Sequence, residues 1–277
     1  MVAPKPTIKG LECMPDTDYL LQNRKAEAEQ RLATLSALFD PGTLRQFDAC
    51  GMAAGWRCWE VGAGGPTLVR TMAERVGHAG YVLATDIDVS RTSEAAARNV
   101  EVRTHDVARE APPGESFDLV HARLVLVHLP ERERAFQNMI SALEPGGWLV
   151  VEDADPALQP LSCIDVYGPE QELANRIRRG FRTLLSNRGV DLSFGRTLPR
   201  MFREAGMADV AAEAWFPIAL PECTTLEIAT IAMIRDDLLA NGIATADEIE
   251  RHLANVRAGA LDLSQPPMIS VRGRKPR

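Results

Sequence analysis

The sequence predicts an α/β protein with a doubly wound parallel sheet. Short apolar runs recur between about residues 56 and 153, and segments of helical period separate them. Strands covered on both faces read as near-continuous Val, Ile and Leu runs, and their alternation with helices is how crossover connections wire a parallel sheet. Glycine and proline punctuate the ends of these runs, as the turns of such a fold require.

The elements follow in order. Residues 17–39 place Leu20, Leu21, Ala28, Leu32, Leu35, Leu38 and Phe39 at helical spacing. Asp40-Pro41-Gly42 is expected to stop that helix, since proline lacks the amide hydrogen and clashes with the preceding turn. The apolar stripe must cover either the core or a bound ligand, and it leaves a homo-oligomer through this helix open. Strands are expected at 57–61, 81–86, 100–104, 117–121 and 148–152, with helices near 66–76, 90–97 and 131–143. The turn Glu144-Pro145-Gly146-Gly147 ends the last helix and launches the fifth strand. Beyond Asp153 the alternation lapses, and about 154–195, with a helix near 168–188, reads as a helical insertion over the mouth of the sheet. A helix near 196–205, a strand at 209–216, helices near 224–240 and 245–258 and an apolar run at 268–271 complete the chain. The organisation is an N-terminal helical lid segment, 1–50, and a core, 51–277, that carries the insertion.

Composition removes several classes. With 277 residues, 45% hydrophobic and 25% charged, the chain lies in the globular range. A net charge of −7 argues against a nucleic-acid partner, which needs a concentrated basic surface. The five cysteines are scattered without a Cys-x-x-Cys pair, which disfavours a zinc site and a disulfide framework and fits a reducing cytoplasm. The N-terminus lacks the apolar core of a leader, and no later run approaches the roughly 18 apolar residues of a membrane span, so a cytoplasmic protein is expected.

Ligands of an open α/β sheet bind beyond the carboxyl ends of the strands. After the first strand stands Gly62-Ala63-Gly64-Gly65, where missing side chains let a ligand lie against the backbone, and Pro66 suits the first position of a helix. A dinucleotide fingerprint would need another glycine where Thr67 stands. Glu60, two residues before the first glycine, could orient the loop and bias the pocket toward a cation carrying an ammonium and a sulfonium; otherwise it is an edge-strand surface acid. Asp86 ends the second strand 24 residues after Gly62, the spacing at which a carboxylate accepts from both ribose hydroxyls. Asp106, after the third strand, could accept from an adenine amino group.

Together, Glu60-Val61-Gly62-Ala63-Gly64-Gly65, Ala84-Thr85-Asp86-Ile87-Asp88, His105-Asp106-Val107, Phe117-Asp118-Leu119-Val120-His121 and Leu143-Glu144-Pro145-Gly146-Gly147-Trp148 resemble the class I S-adenosylmethionine-dependent methyltransferases in order and spacing. The resemblance covers about 55–153 strongly. It implies a Rossmann-like seven-stranded sheet with one antiparallel edge strand and S-adenosyl-L-methionine as cofactor. It further implies that Gly62, Ala63 and Gly64 lie under the methionine part, Asp86 holds the ribose and Ile87 stacks on adenine. Asp106 and Val107 would meet the adenine edge, and the backbone of His121 the methionine ammonium. Pro66 departs from the family, which often has another glycine there.

Asp18-Tyr19-Leu20-Leu21 before the first helix is similar to the lid of bacterial small-molecule, natural-product tailoring methyltransferases. Tyr19 would then contact cofactor or acceptor, or simply pack as a helix-start aromatic. A sulfonium methyl donor is already activated, so positioning the acceptor and excluding water dominate. Where the acceptor must lose a proton, His121, Tyr19, Glu152 and Asp153 are candidate bases, with His121 preferred; His128 reads as a core histidine. Asp153 and Asp155 offer too few ligands for a metal, and none is expected. The expected function is methylation of a small molecule in secondary metabolism. Alternatives are a methyltransferase acting on protein or RNA and a non-catalytic cofactor-binding scaffold. The nucleic-acid reading lacks the Asp- or Asn-Pro-Pro-aromatic segment after the fourth strand, where His121-Ala122-Arg123-Leu124 stands.

Overall fold

The computed structural model describes Leu20 and residues 27–277, so the expectations placed on Tyr19 and on the start of the N-terminal helix lie outside the described residues. Helix α1 (Glu27–Cys50) does not stop at Asp40-Pro41-Gly42 but runs through Pro41. A proline removes one amide from the ladder, yet this helix is fastened on both sides of it. Leu35, Leu38 and Phe39 are buried among the C-terminal helices, and Phe47 and Cys50 lie in the core under the sheet. Between them, Asp40 accepts from Arg123 at 2.7 Å and Thr43 donates to Glu152. Tertiary burial outweighs the local stop.

Strands β1 (Arg57–Val61), β2 (Tyr81–Asp86) and β3 (Val100–Thr104) have the expected bounds, as does helix α2 (Pro66–Val76) after β1. The helix expected near 90–97 is a single 3-10 turn, Thr92–Ala95, too short in apolar residues to hold more. Strand β4 (Phe117–Arg123), helix α3 (Arg132–Ser141) and strand β5 (Leu143–Ala154) follow. β5 starts before Glu144-Pro145-Gly146-Gly147, so those residues form an irregular strand start instead of a free turn. Lys275 holds this segment, accepting from the Gly146 amide at 2.9 Å and donating to the Gly147 carbonyl at 2.8 Å.

The remaining elements are α4 (Pro169–Asn187), α5 (Leu198–Glu204), β6 (Ala208–Trp215), α6 (Pro221–Ala240), α7 (Ala246–Arg257) and β7 (Met268–Arg274). The seven-stranded sheet has the order β3-β2-β1-β4-β5-β7-β6. β1 to β5 pair in parallel, and β7 runs antiparallel to both β5 and β6. The antiparallel strand is therefore next to the edge instead of at it. Burial explains the choice: Met268, Ile269 and Val271 are covered, whereas β6, rich in alanine and carrying Asp209 and Glu213, is largely exposed and suits an edge.

The segment expected as an insertion, about 154–195, is only half of the helical cap. Leu173 and Ile177 of α4 pack with Ile231, Ile234 and Leu238 of α6 and with Ile249 and Leu253 of α7. The cap thus combines the segment after β5 with the one between β6 and β7. α1 serves both: its C-terminal half packs in the core and its N-terminal half faces the site described next.

Candidate cofactor site

The carboxyl ends of β1, β2 and β4 open into a cavity of about 690 Å³. Its floor is the loop after β1, where Gly62 and Gly64 have φ of 64° and 62°, a region that costs other L-residues strain. The end of β2 holds this loop: the Ala63 amide donates to the Thr85 carbonyl and the Gly64 amide to Asp86 Oδ2, both at 3.0 Å. Pro66 then opens α2, where no amide is needed.

Of the six acidic residues that line this cavity, Asp86, Asp106 and Glu60 are those the sequence singles out. Asp86 is 8% exposed; Oδ1 accepts from the Asp88 amide at 3.0 Å and Oδ2 from Gly64, which leaves a lone pair on each oxygen. Burial raises its pKa, against the pull of those two amides. Beside it Ile87 is 66% exposed, an apolar face with no protein on it. Asp106 accepts from the amides of Ala108 and Arg109 through Oδ1, and it lines the cavity with His105 and Val107. Glu60 is no surface acid: β1 is central, and the carboxylate is 3% exposed with Oε2 2.6 Å from His121 Nδ1.

His121 is fully buried, and its second ring nitrogen lies 3.2 Å from Glu152 Oε2. Burial lowers its pKa, but Glu60 and Glu152 outweigh that and push it up to about 9. A ring with both nitrogens engaged and its proton firmly held is not a base for an acceptor, so the preferred expectation for His121 is corrected. Glu152 and Asp153 are also buried away from the cavity, on opposite faces of β5. Glu152 accepts from Ser270 Oγ at 2.5 Å and from Thr43, while burial lifts Asp153 well above the usual carboxylate range. Asp155 pairs with Arg196 at 2.6 Å. Among the described residues, no group of three or more His, Cys, Asp or Glu is placed to hold a metal ion.

Besides His105, the histidine on the cavity wall is His128, for which the sequence predicts a core position. It ends the 3-10 turn Leu126–His128, and burial, followed by Arg31 and Arg132, lowers its pKa to about 4, so the ring is neutral at neutral pH. The available signal was its place five residues after β4, at the ligand-binding end of the sheet. Arg123, also on the wall, donates to Asp40 and to Thr43 at 2.9 Å. Leu32, Leu35 and Ser36 close the cavity from α1, so that helix covers core and site alike.

A floor without side chains and carboxylates placed for a cation, a diol and an exocyclic amine fit S-adenosylmethionine. The fold and the layout of the site are those of the class I S-adenosylmethionine-dependent methyltransferases. The chain belongs to the methyltransferase-domain family, which matches residues 20–212. It is 27% identical over 178 residues to phosphoethanolamine N-methyltransferase 1 of Triticum aestivum, covering 62% of this chain and 32% of that one. It is 30% identical over 130 residues to the ubiquinone/menaquinone biosynthesis C-methyltransferase UbiE of Vibrio parahaemolyticus, covering 43% and 50%. Phosphoethanolamine N-methyltransferase 2 of Haemonchus contortus, solved with S-adenosyl-L-methionine, superposes with a TM-score of 0.50 at 16% identity, over 90% of this chain and 53% of that one. That last likeness is one of fold. The chain thus spans about a third to a half of the length of these relatives.

Proposed function

We propose that the protein transfers a methyl group from S-adenosylmethionine to a small-molecule acceptor, of the kind tailored in secondary metabolism. One observation carries this reading: the cavity that fits the cofactor is also lined by the apolar Leu32, Leu35, Val125 and Leu129, with a neutral His128 beside them. A concave, mainly apolar site of this kind takes a small acceptor. The names of the wheat and Vibrio relatives, one for phosphoethanolamine and one for quinone biosynthesis, also point to small molecules. No described helix is long and apolar enough to cross a membrane.

The bound cofactor supplies a methyl group already activated on sulfur. The protein's part is then to hold the ribose at Asp86 and the ammonium near Glu60, to exclude water with α1, and to orient the acceptor. For an acceptor with a removable proton, His128 accepts that proton in place of the buried His121.

Calorimetry with S-adenosylmethionine and S-adenosylhomocysteine tests the cofactor assignment; no binding at high micromolar concentration would refute it. Tight binding without turnover on any small acceptor would favour the scaffold reading. For His128, replacement by alanine is expected to lower kcat by about 100-fold or more, the usual worth of a general base. The base form exists above the pKa of about 4, so the acidic limb from this group lies near pH 4 instead of near 6.5. A normal kcat in His128→Ala contradicts the assignment, whereas a limb near 6.5 that the substitution abolishes keeps His128 as the base and contradicts its lowered pKa.

A further inference from the structure

Behind Glu60 lies a chain of buried polar groups that the chemistry above does not use. From the cavity inward it runs from Glu60 on β1 to His121 on β4 and Glu152 on β5. Glu152 is held in turn by Ser270 on β7 and by Thr43 on α1. Arg123 joins it, donating to Thr43 and Asp40, and Phe47 of α1 presents its ring edgewise to His121 at 5.2 Å. Five structural elements contribute to this chain, and the His121 ring stands at its centre.

We propose that His121 is a positioning residue: bonded to Glu60 and Glu152 at once, it fixes the carboxylate that meets the methionine end of the cofactor and ties that end to α1. This rests on the cofactor reading above. An imidazolium donates in both contacts, whereas a neutral ring has one N–H and would turn a lone pair toward the other carboxyl, which would then have to carry the proton. The pKa near 9 agrees with the imidazolium form. Without His121, two buried carboxylates would share the site with no cation between them, and one would take up a proton or turn away. A neutral or displaced Glu60 no longer attracts an ammonium. The adenosine half, held by Asp86 at the end of β2 and Asp106 in the loop after β3, is unaffected. Through Glu152 and Thr43 the same ring connects to α1, whose residues 29–36 border the cavity.

The test compares S-adenosylhomocysteine, which carries the amino-acid tail, with 5′-methylthioadenosine, which lacks it. In His121→Gln at neutral pH, affinity for the first is expected to fall tenfold or more and for the second to change less than twofold. Hydrogen exchange gives a second readout: S-adenosylhomocysteine should slow exchange over residues 29–36 of the unaltered protein more than methylthioadenosine does, and the difference should vanish in the variant. If His121→Gln does not fold, Ser270→Ala removes one donor to Glu152 and should show the same selectivity at two- to fivefold. Equal loss of both ligands means a merely structural histidine, and unchanged affinity for both means no role; either overturns the inference alone. Failure of the unaltered protein to bind either ligand overturns the cofactor reading and this one with it.

Discussion

Gly62→Ala is expected to lower stability by about 2–5 kcal/mol, with a denaturation midpoint several degrees lower. Two costs add. Gly62 has φ of 64°, where an L-side chain costs about 1–2 kcal/mol. A Cβ there would also stand 2.3 Å from Val125 Cγ2, well inside contact distance, and such overpacking costs about 1–3 kcal/mol. The neighbour cannot simply recede, because Val125 precedes the turn that carries Leu126, fully buried in the core. A double-mutant cycle separates the two costs. Adding Val125→Ala should restore the packing part and leave the backbone part, so recovery is partial. Full recovery would remove backbone strain from the explanation, and no recovery would remove the clash.

The same few residues show how far sequence reasoning reaches. β1, β2 and β3 were legible to the residue because each is a short stretch of β-branched or aromatic residues bounded by turn signals, and Glu60, Asp86 and Asp106 were legible because they sit at or just beyond the ends of those stretches. α1 was not, because what carries it through Pro41 is Asp40 bonding Arg123 and Thr43 bonding Glu152, partners 83 and 109 residues away. The histidines exchanged roles for a similar reason. His121 lies within β4 and points to the face that α1 covers, inside the protein. Leu124 then adopts φ of 56°, an unusual conformation for a branched side chain, and the chain folds back so that the turn ending in His128 meets the cavity. No periodicity encodes that reversal. The cap was half legible, since its two parts lie on either side of β6 and meet only through burial.

Asp86→Ala is expected to weaken binding of S-adenosylhomocysteine by about 1–3 kcal/mol, or roughly five- to 150-fold, as for hydrogen bonds to a charged group. The structure places the loss toward the upper end, because the carboxylate also holds the Gly64 amide and so the floor of the site. Asp86→Asn should be little better. Both carboxylate oxygens accept from a backbone amide, Gly64 on one side and Asp88 on the other, so an asparagine NH2 would face an N–H whichever way it turns. Wild-type affinity in either folded variant would remove Asp86 from the ribose role. Methylthioadenosine sharpens the test, since it keeps the ribose and loses the tail. Asp86 variants should lose both ligands to a similar extent, whereas His121→Gln should lose only the one with the ammonium. The two patterns locate each carboxylate along the cofactor independently: Asp86 under its middle, and Glu60, through the histidine behind it, at its charged end.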